Sequence, residues 1–394
     1  MASIMTDIWG DIPYSDALKA DDADEPNSAP AYDEQSALYA TLLTELETAA
    51  GMLNATGEVF GEADLLYGGD MAAWEKFANS LRLRLAIRMS DVNAAGTQAV
   101  LDDLDLATLI TDNADNASFQ YSTAAPYRNP YHENAAGALG GVGTRDDHAV
   151  SNTLVGILGA LNDPRIELYA NPAGVDSLIF DEDWCGGAGQ LPCHVVYNGD
   201  VYRGVRNGLL SADVPRLAII SRIGAHFRAN PDTPQPLLTA AEVHFLLAEA
   251  ALEGFTIPGG GTAQSHYEAG VRAAFEMWDG AEGLDFGTAV QTAYLAQPGV
   301  AWGTGDSFLE QIIEQKWLAL YTMPWEAYAE LRRTGYPDEA VPAETAIVTY
   351  IPGRIPYPSL EQSLNADNRA AAVDRQNTTN GEYDGRLWWD STPQ

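Results

Sequence analysis

The sequence predicts a mostly α-helical fold, in which tetratricopeptide-like helix pairs support a large irregular, loop-rich portion. Apolar residues recur at intervals of three and four in several segments, and these segments carry helix start or stop signals. Between them lies a long stretch that is rich in glycine and in turn-forming residues. A chain of 394 residues is also long enough to bury a large core.

Residues 33–91 are predicted to be helical, after a turn-rich segment at residues 7–18. Asp33 is a suitable N-cap for the first of two helices. The second begins at Asp70 and ends near Arg88, so an acid lies at its positive end and an arginine at its negative end. The apolar positions of the first helix are Leu38, Leu42, Leu46, Ala49 and Leu53.

Residues 92–236 are predicted to be loop-rich, with one helix from near Asp147 to Leu161. Loops of this length are usually either functional or disordered. The aromatic residues of the segment favour order, and this makes it the first place to look for a ligand site. Among these aromatic residues are Tyr121, Tyr127, Tyr131, Trp184, Tyr197 and Tyr202.

Residues 237–336 are predicted to consist of tetratricopeptide-like helices. Thr239 and Glu242 have the spacing of a capping box, which opens a helix that stops at Gly254. A second helix follows from about Gln264, and the two together form one predicted helix pair. The sequence shows no strict repeat, so the pair is a degenerate one.

The helical region ends in a predicted hairpin. Ser307 and Glu310 form a capping box at the start of its first helix. Pro324 suits the first turn of its second helix, and Gly335 ends that helix. The remaining residues, 337–394, are predicted to be an irregular C-terminal segment.

The chain is strongly acidic, with 56 Asp plus Glu against 21 Lys plus Arg and a formal net charge of -35. Such a surface repels nucleic acid and anionic lipid, so neither is expected as a partner. The acids are dispersed and 46% of the residues are hydrophobic, which indicates a salt-adapted, halophilic globular surface. The most apolar segment, 237–252, is short and interrupted by charges, so no membrane-spanning helix is predicted.

Motifs for cofactor or metal chemistry are not found in the sequence. No lysine precedes Ser or Thr, which excludes a P-loop, and there is no H-E-x-x-H motif. The acidic run at 181–183 offers carboxylates that suit calcium, but its spacing is not that of an EF-hand. We therefore predict no cofactor, no metal site and no catalytic residue.

The two cysteines, Cys185 and Cys193, flank a short loop that contains several glycines and a proline. Two cysteines around such a loop can close a local disulfide, whereas a metal site would normally need more ligands nearby. The spacing therefore favours a disulfide between them over a metal site.

Distinctive blocks of sequence lie in order along the chain. Among them are DIWGDIPYSDAL at residues 7–18, EQKWLAL at 314–320, EAYAELRRTGYP at 326–337 and YDGRLWWD at 383–390. Together the blocks resemble the SusD/RagB (SusD-like) family of nutrient-binding outer-membrane lipoproteins. The resemblance covers nearly the whole chain, which makes it more specific than any single motif.

The resemblance implies one SusD-like domain over residues 1–394 and a non-catalytic function. That function is capture of a nutrient, most often an oligosaccharide, at the extracellular face of the outer membrane, and delivery to a SusC-like TonB-dependent transporter. In the family, a signal peptide, a lipid-carrying cysteine and the first helices normally precede the block at 7–18. The chain is therefore expected to lack its usual N-terminal part, including the lipid anchor through which it would contact the membrane.

Two other functions remain open on the sequence alone. One is an all-α glycoside hydrolase, which needs a carboxylic acid and a carboxylate facing each other across the substrate. The other is a tetratricopeptide-type adaptor that binds protein segments in an interior compartment, where the thiols would stay reduced. A turnover assay on polysaccharides separates the first from a binder, and the redox state of the cysteines separates the second.

A sugar-binding site needs exposed aromatic faces beside polar groups, held on loops. Trp302, in its own glycine-rich loop, is one candidate, whereas Trp278 and Trp317 are expected in the core because they lie on apolar helix faces. The other predicted ligand-binding residues fall in two loop stretches. They are Trp184, Tyr197, Asn198, Tyr202 and Arg203 in one, and Tyr127, Asn129 and Tyr131 in the other.

Overall fold

Helices dominate the part of the chain that the structure describes, which confirms the predicted fold class. The computed structural model describes residues 1–22, 26–53, 61–134, 148–173, 177–179, 194–196, 201–209, 219–338, 342, 346, 348–376 and 382–391. The helices within these ranges are α1 (Ala2–Trp9), α2 (Gln35–Met52), α3 (Met71–Arg88), α4 (Ala94–Asp103), α5 (Pro130–Glu133), α6 (Asn152–Ala160), α7 (Ile166–Tyr169), α8 (Ala225–Ala229), α9 (Ala240–Leu252), α10 (Ala263–Glu276), α11 (Thr288–Leu295), α12 (Phe308–Ala319), α13 (Pro324–Thr334), α14 (Glu361–Leu364) and α15 (Ala366–Arg375).

The described sheet structure is limited to two small antiparallel ribbons. In the first, β1 (Ala117–Phe119) pairs with β4 (Gln235–Leu238), and the register shifts next to Ala117. In the second, β2 (Ser177–Ile179) pairs with β3 (His194–Val196). The first ribbon joins the start of the loop-rich portion to the helical region, because β4 leads directly into α9.

The pair α9 and α10 forms the centre of the scaffold, as the sequence predicts for a tetratricopeptide-like pair. The two helices pack along their lengths, and α3 and α12 pack against α9 as well. Val243, Leu246 and Leu247 of α9 are fully buried in the main hydrophobic core. Helix α10 approaches closely because Gly270 has no side chain, and a Cβ there would lie 2.9 Å from ring atoms of Phe245.

The predicted cap at Asp33 is wrong, because the N-cap of α2 is Glu34 and the Asp33 carboxylate instead accepts from the amides of Tyr14 and Ser15, each at 2.9 Å. The predicted helix starts at Asp70 and Thr239 are confirmed by their caps. Asp70 accepts hydrogen bonds from the amides of Ala72 and Ala73, and Thr239 Oγ1 accepts one from the amide of Glu242. The carboxylate of Glu242, however, is turned to Arg84, with Oε1 to Nε at 2.5 Å and Oε2 to Nη2 at 2.6 Å. The predicted capping box is therefore only half formed, because a buried arginine on α3 attracts this acid more strongly than a neutral amide does.

The helical hairpin of α12 and α13 is confirmed. Ser307 Oγ accepts a hydrogen bond from the amide of Glu310, and Pro324 occupies the first turn of α13. Gly335 ends α13 in the left-handed conformation with φ of 80°, which a residue with a Cβ rarely adopts.

A buried cluster of charged side chains joins these helices, and Glu330 of α13 lies at its centre. The carboxylate of Glu330 is 2.6 Å from Arg333 and 3.1 Å from Lys316. It is also 3.1 Å from Arg88 of α3. Burial opposes ionisation of Glu330, but the three cations outweigh burial and hold its pKa well below the usual range.

The cluster extends from Glu330 to both sides. Arg333 also contacts Glu249 of α9 at 2.5 Å, and Arg88 contacts Asp7 of α1 at 2.9 Å. Burial raises the pKa of Asp7 even though Arg88 opposes the shift. We call this set the ion cluster, and its members are Asp7, Arg84, Arg88, Glu242, Glu249, Lys316, Glu326, Glu330 and Arg333.

Three segments differ from the sequence-based expectation. Residues 7–9, expected in a turn-rich segment, belong to α1, whose buried residues are Thr6, Asp7 and Ile8. The C-terminal segment, expected to be irregular, contains α15, in which only Ala372 is fully buried. Helix α6 begins after Ser151, whose Oγ caps it, rather than near Asp147, which lies outside the described residues.

Candidate functional site

A cleft of about 520 Å³ lies between the helical hairpin and the loop-rich portion. This volume is within the range of roughly 300–1,000 Å³ that is usual for ligand sites. We call it the aromatic cleft, because four aromatic side chains contribute to its wall. The described residues that line it are Tyr131, His148, Ala149, Val150, Ser151, Thr153, Leu154, Asn207, Ile223, Trp317, Leu320, Tyr321, Pro324, Ala327, Tyr328, Leu331, Pro342, Ile351 and Pro352.

Tyr321, at the end of the first hairpin helix, is fixed by other aromatic rings. It stacks on Tyr169 with ring centroids 4.1 Å apart and planes at 9°, and its hydroxyl donates to the carbonyl of Tyr169 at 2.6 Å. The edge of Phe227 packs on it at 5.2 Å. The pKa of Tyr321 is raised well above its usual value by burial and by the neighbouring tyrosines. Its ring is thus a rigid, neutral surface.

Tyr328, on α13, is held in a similar way. Its hydroxyl donates a hydrogen bond to the carbonyl of Pro352, and the guanidinium of Arg332 lies 4.0 Å from the ring centroid. Arg332 is itself fixed, because it donates to the carbonyls of Gly353 at 2.9 Å and Asp7 at 2.6 Å. Two tyrosine hydroxyl protons of the cleft are therefore used by main-chain carbonyls.

Tyr131 enters the cleft from the loop-rich portion, in the short helix α5. Asn129 caps this helix by accepting from the Tyr131 amide at 2.8 Å, and it donates to the carbonyl of Thr233 at 2.8 Å. His148 meets the Tyr131 ring edge-on at 6.2 Å. Burial, and then the neighbouring Tyr121, raises the pKa of Tyr131. The predicted loop residue is thus anchored to the scaffold and turned into the cleft.

The described lining of the cleft offers few polar side chains. Ser151 Oγ accepts from the amide of Leu154 at 3.1 Å as the cap of α6. His148 and Asn207 supply an imidazole and an amide. The described lining residues include no Asp, Glu, Lys or Arg, so the paired carboxylates of a glycoside hydrolase are not among them.

The structure separates the predicted ligand residues. Tyr131 lines the aromatic cleft, and Asn129 is buried behind it as a positioning residue. Tyr127 is 71% exposed and lies outside the described lining. Tyr202 packs against the main core, and Arg203 is buried with Nε donating to the carbonyl of Ile219 at 2.7 Å.

Trp302, the third predicted location, lies away from this cleft. Its ring contacts Tyr267 at 5.3 Å and stacks on Phe308 at 4.7 Å. Phe308 is 45% exposed, so this pair forms a separate aromatic surface. Trp184, Tyr197, Asn198, Cys185 and Cys193 lie outside the described residues.

Sequence reasoning missed three aromatic residues of the cleft, Trp317, Tyr321 and Tyr328. Trp317 was expected in the core, and it packs on the core with one side while lining the cleft with another. The available signal was their spacing, because Trp317 and Tyr321 are four apart and Tyr328 follows the helix break. An apolar stripe in sequence has the same pattern whether it faces a core or a cleft.

No segment of the described structure offers a membrane span or a metal cluster. No helix there is long and apolar enough to cross a membrane. Within the same residues, no group of three or more His, Cys, Asp or Glu side chains is arranged to hold a metal ion.

The fold and the cleft together define a class, that of helical scaffold proteins with tetratricopeptide-like pairs and an aromatic cleft. A family model described as SusD-like, "Starch-binding associating with outer membrane", matches residues 1–358. The chain belongs to this SusD-like family, as its sequence blocks indicate. No curated protein matches the chain.

Several solved structures are similar over 99% of this chain. One titled "chitin-binding protein" is 30% identical with a TM-score of 0.76, and the match covers 78% of that chain. A chitin-binding SusD homologue from Flavobacterium johnsoniae is 26% identical with a TM-score of 0.75, with 78% of its chain covered. A SusD homologue from Bacteroides uniformis is 28% identical with a TM-score of 0.77, with 79% covered.

Proposed function

We propose that this protein captures an oligosaccharide at the extracellular face of the outer membrane and delivers it to a TonB-dependent transporter of SusC type. Membership of the SusD-like family, whose description names starch binding and the outer membrane, supports the first part. Two similar structures are titled as chitin-binding, which supports a glycan as the ligand. Binding involves no covalent chemistry and no cofactor.

The observation that carries the proposal is the aromatic cleft. Sugars present C–H faces that pack on aromatic rings, and rigid rings lose little entropy on binding. Tyr131, Tyr321 and Tyr328 are each held in place by hydrogen bonds or ring contacts before any ligand arrives. The cleft is thus preorganised for a flat, uncharged ligand.

The first experiment is calorimetric titration of the protein with starch-derived and chitin-derived oligosaccharides. The variant Tyr131→Ala removes a ring from the cleft, and we expect it to weaken binding about tenfold or more, as loss of an aromatic anchor does. Tyr127→Ala is the matched control, because Tyr127 is exposed on the same loop outside the described lining. Loss of binding in the control alone would move the site to the exposed loop surface.

Delivery and anchoring are tested separately from binding. Co-expression with a TonB-dependent transporter of SusC type, followed by affinity purification, should recover a complex of the two proteins. The lipid anchor that the family resemblance implies predicts that the protein made in cells is labelled by fatty acid. A protein that bound glycans but never copurified with a transporter would retain the capture function and lose the delivery function.

The predicted loop residues Trp184, Tyr197 and Asn198 remain part of this proposal as a second ligand-contacting stretch. Substitution of Trp184 by Ala tests it in the same titration. An unchanged affinity together with an intact melting curve would restrict the site to the aromatic cleft. A turnover assay on the same oligosaccharides checks that no product forms.

A further inference from the structure

The walls of the aromatic cleft are more apolar than an unsubstituted sugar requires. Val150, Leu154 and Ile223 form one side, and Leu320, Ala327 and Leu331 form the other. An unsubstituted sugar ring carries several hydroxyl groups, and each one that enters such a wall without a partner loses its hydrogen bonds to water. Aliphatic side chains cannot replace those bonds, so the depth of the cleft suits an apolar group better than a ring of hydroxyls.

The hydroxyls of the two hairpin tyrosines do not compensate for these walls. The hydroxyls of Tyr321 and Tyr328 donate to main-chain carbonyls, and the hydroxyl of Ser151 caps a helix. The other side chains of the described lining with donor groups are His148, Asn207, Trp317, Tyr131, Ser151 and Thr153. Donor groups beside an apolar surface fit a group that combines one carbonyl oxygen with a methyl or longer alkyl chain.

The charges of the described lining and of the whole chain also favour a neutral ligand. The described lining contains no arginine or lysine to pair with an anion, and the chain as a whole carries a formal charge of -35. A uronate or sulfated sugar would therefore be repelled as it approaches and would meet no arginine or lysine in the described lining. A neutral ligand meets neither cost.

We propose that the aromatic cleft binds the acyl group of a neutral, acylated sugar, such as an N-acetyl or O-acetyl substituent. The methyl group packs between Leu320, Ala327 and Leu331 and the rings of Tyr321 and Tyr328. The acyl carbonyl accepts a hydrogen bond from His148 or Asn207. This inference rests on the proposed capture of an oligosaccharide and names the feature of the glycan that the cleft selects.

The test compares ligands that differ only in the acyl group. Chito-oligosaccharides and cello-oligosaccharides of equal length share a β-1,4 backbone and differ by an acetamido group in place of a hydroxyl. A second neutral pair is acetylated xylo-oligosaccharide and the same material after removal of its acetyl esters. Calorimetry should show that the acylated member of at least one pair binds about tenfold or more tightly than its partner, the range for one small group in an apolar pocket.

Every other result overturns the inference. If both members of each pair bind equally well, or the unacylated member binds more tightly, the acyl group is not what the cleft selects. If neither pair binds while starch oligosaccharides do, capture of a glycan stands and acyl selection fails. If no oligosaccharide binds at all, the proposed function fails together with the inference.

A cleft-filling variant links the preference to these residues. Ala327 is half-buried on α13 and lines the cleft, so Ala327→Leu adds bulk where the acyl group is placed. We expect it to remove most of the difference between chito- and cello-oligosaccharide. Ala49→Leu, at an exposed position of α2, is the matched control and should leave the difference unchanged. Melting curves of both variants show whether the fold is intact, and an unchanged preference in folded Ala327→Leu would place the selective site elsewhere.

Discussion

Glu330 is the residue on which the buried charges of the ion cluster converge. It lies within about 3 Å of three cations and is 1% exposed. Removing the charge of one member leaves the others buried without full compensation, which typically costs about 3–5 kcal/mol. We expect Glu330→Gln to lower the free energy of unfolding by that amount in urea titrations. Glu276→Gln, at the exposed end of α10, should change it by less than about 0.5 kcal/mol.

His244 makes folding stability depend on pH. Its Nδ1 lies 3.2 Å from Nδ1 of His266, and burial, then that neighbour, lowers its pKa below 6.5. The unfolded chain therefore binds this proton more tightly, so the stabilisation is present above about pH 6.5 and is lost as the pH falls below that value. Unfolding experiments between about pH 7.5 and about pH 5 should show a smaller loss of stability for His244→Gln than for the parent. Equal losses would contradict this account.

The disulfide between Cys185 and Cys193 remains a prediction from the sequence. In the chain-entropy view, a disulfide that closes so short a loop stabilises the protein by roughly 2–3 kcal/mol. Mass spectrometry of alkylated, unreduced protein should show both thiols protected. Two alkylated cysteines would argue against the disulfide and also against export to an oxidising compartment.

At the scale of elements, the contact between α9 and α10 has little tolerance for added volume. Gly270→Ala places a Cβ 2.9 Å from the buried ring of Phe245, and overpacking of this kind costs about 1–3 kcal/mol. Gly51→Ala in α2 meets no atom within 4 Å, so the gain in helix propensity of about 0.5–1 kcal/mol should remain. Thermal melts of the two variants should shift in opposite directions. A stabilised Gly270→Ala variant would mean that the ring can move aside at little cost.

The helices that could be predicted are those whose signals are local. Asp70, Thr239 and Gly335 each mark a helix end by side-chain chemistry that acts within one turn. The sequence did not predict helices α1 and α15, because contacts with distant parts of the chain stabilise them. Asp7 in α1 is held by Arg88, and Arg375 in α15 is held by Asp11 at 2.6 Å.

The candidate site could be predicted only in part, for a related reason. The sequence predicts Tyr131 as a ligand residue, because an aromatic residue in a loop close to an asparagine is a local sign of a ligand site. Trp317 is expected in the core from sequence, because its spacing reports that one helix face is covered, but not what covers it. The cleft forms only where the hairpin and the segment around His148 come together in the folded chain.

At the scale of the whole molecule, the net charge of -35 predicts stability that rises with salt. Salt shortens the Debye length from about 30 Å at 0.01 M to about 3 Å at 1 M, so repulsion between distant acids fades. We expect the melting temperature to rise between these two concentrations of sodium chloride. Choline chloride at the same ionic strengths is the control, because equal effects indicate screening and not specific sodium binding. A melting temperature that does not change would remove the support for a halophilic surface.

Helix α13 carries two separate sets of side chains on its opposite sides. Glu326, Glu330 and Arg333 face the ion cluster, whereas Ala327, Tyr328 and Leu331 face the cleft. The sets alternate in sequence but follow the helical repeat, so each occupies its own face. Evolution can therefore exchange the residues that select a ligand without disturbing those that hold the helix in place, and relatives with this scaffold are free to differ in the nutrient they take.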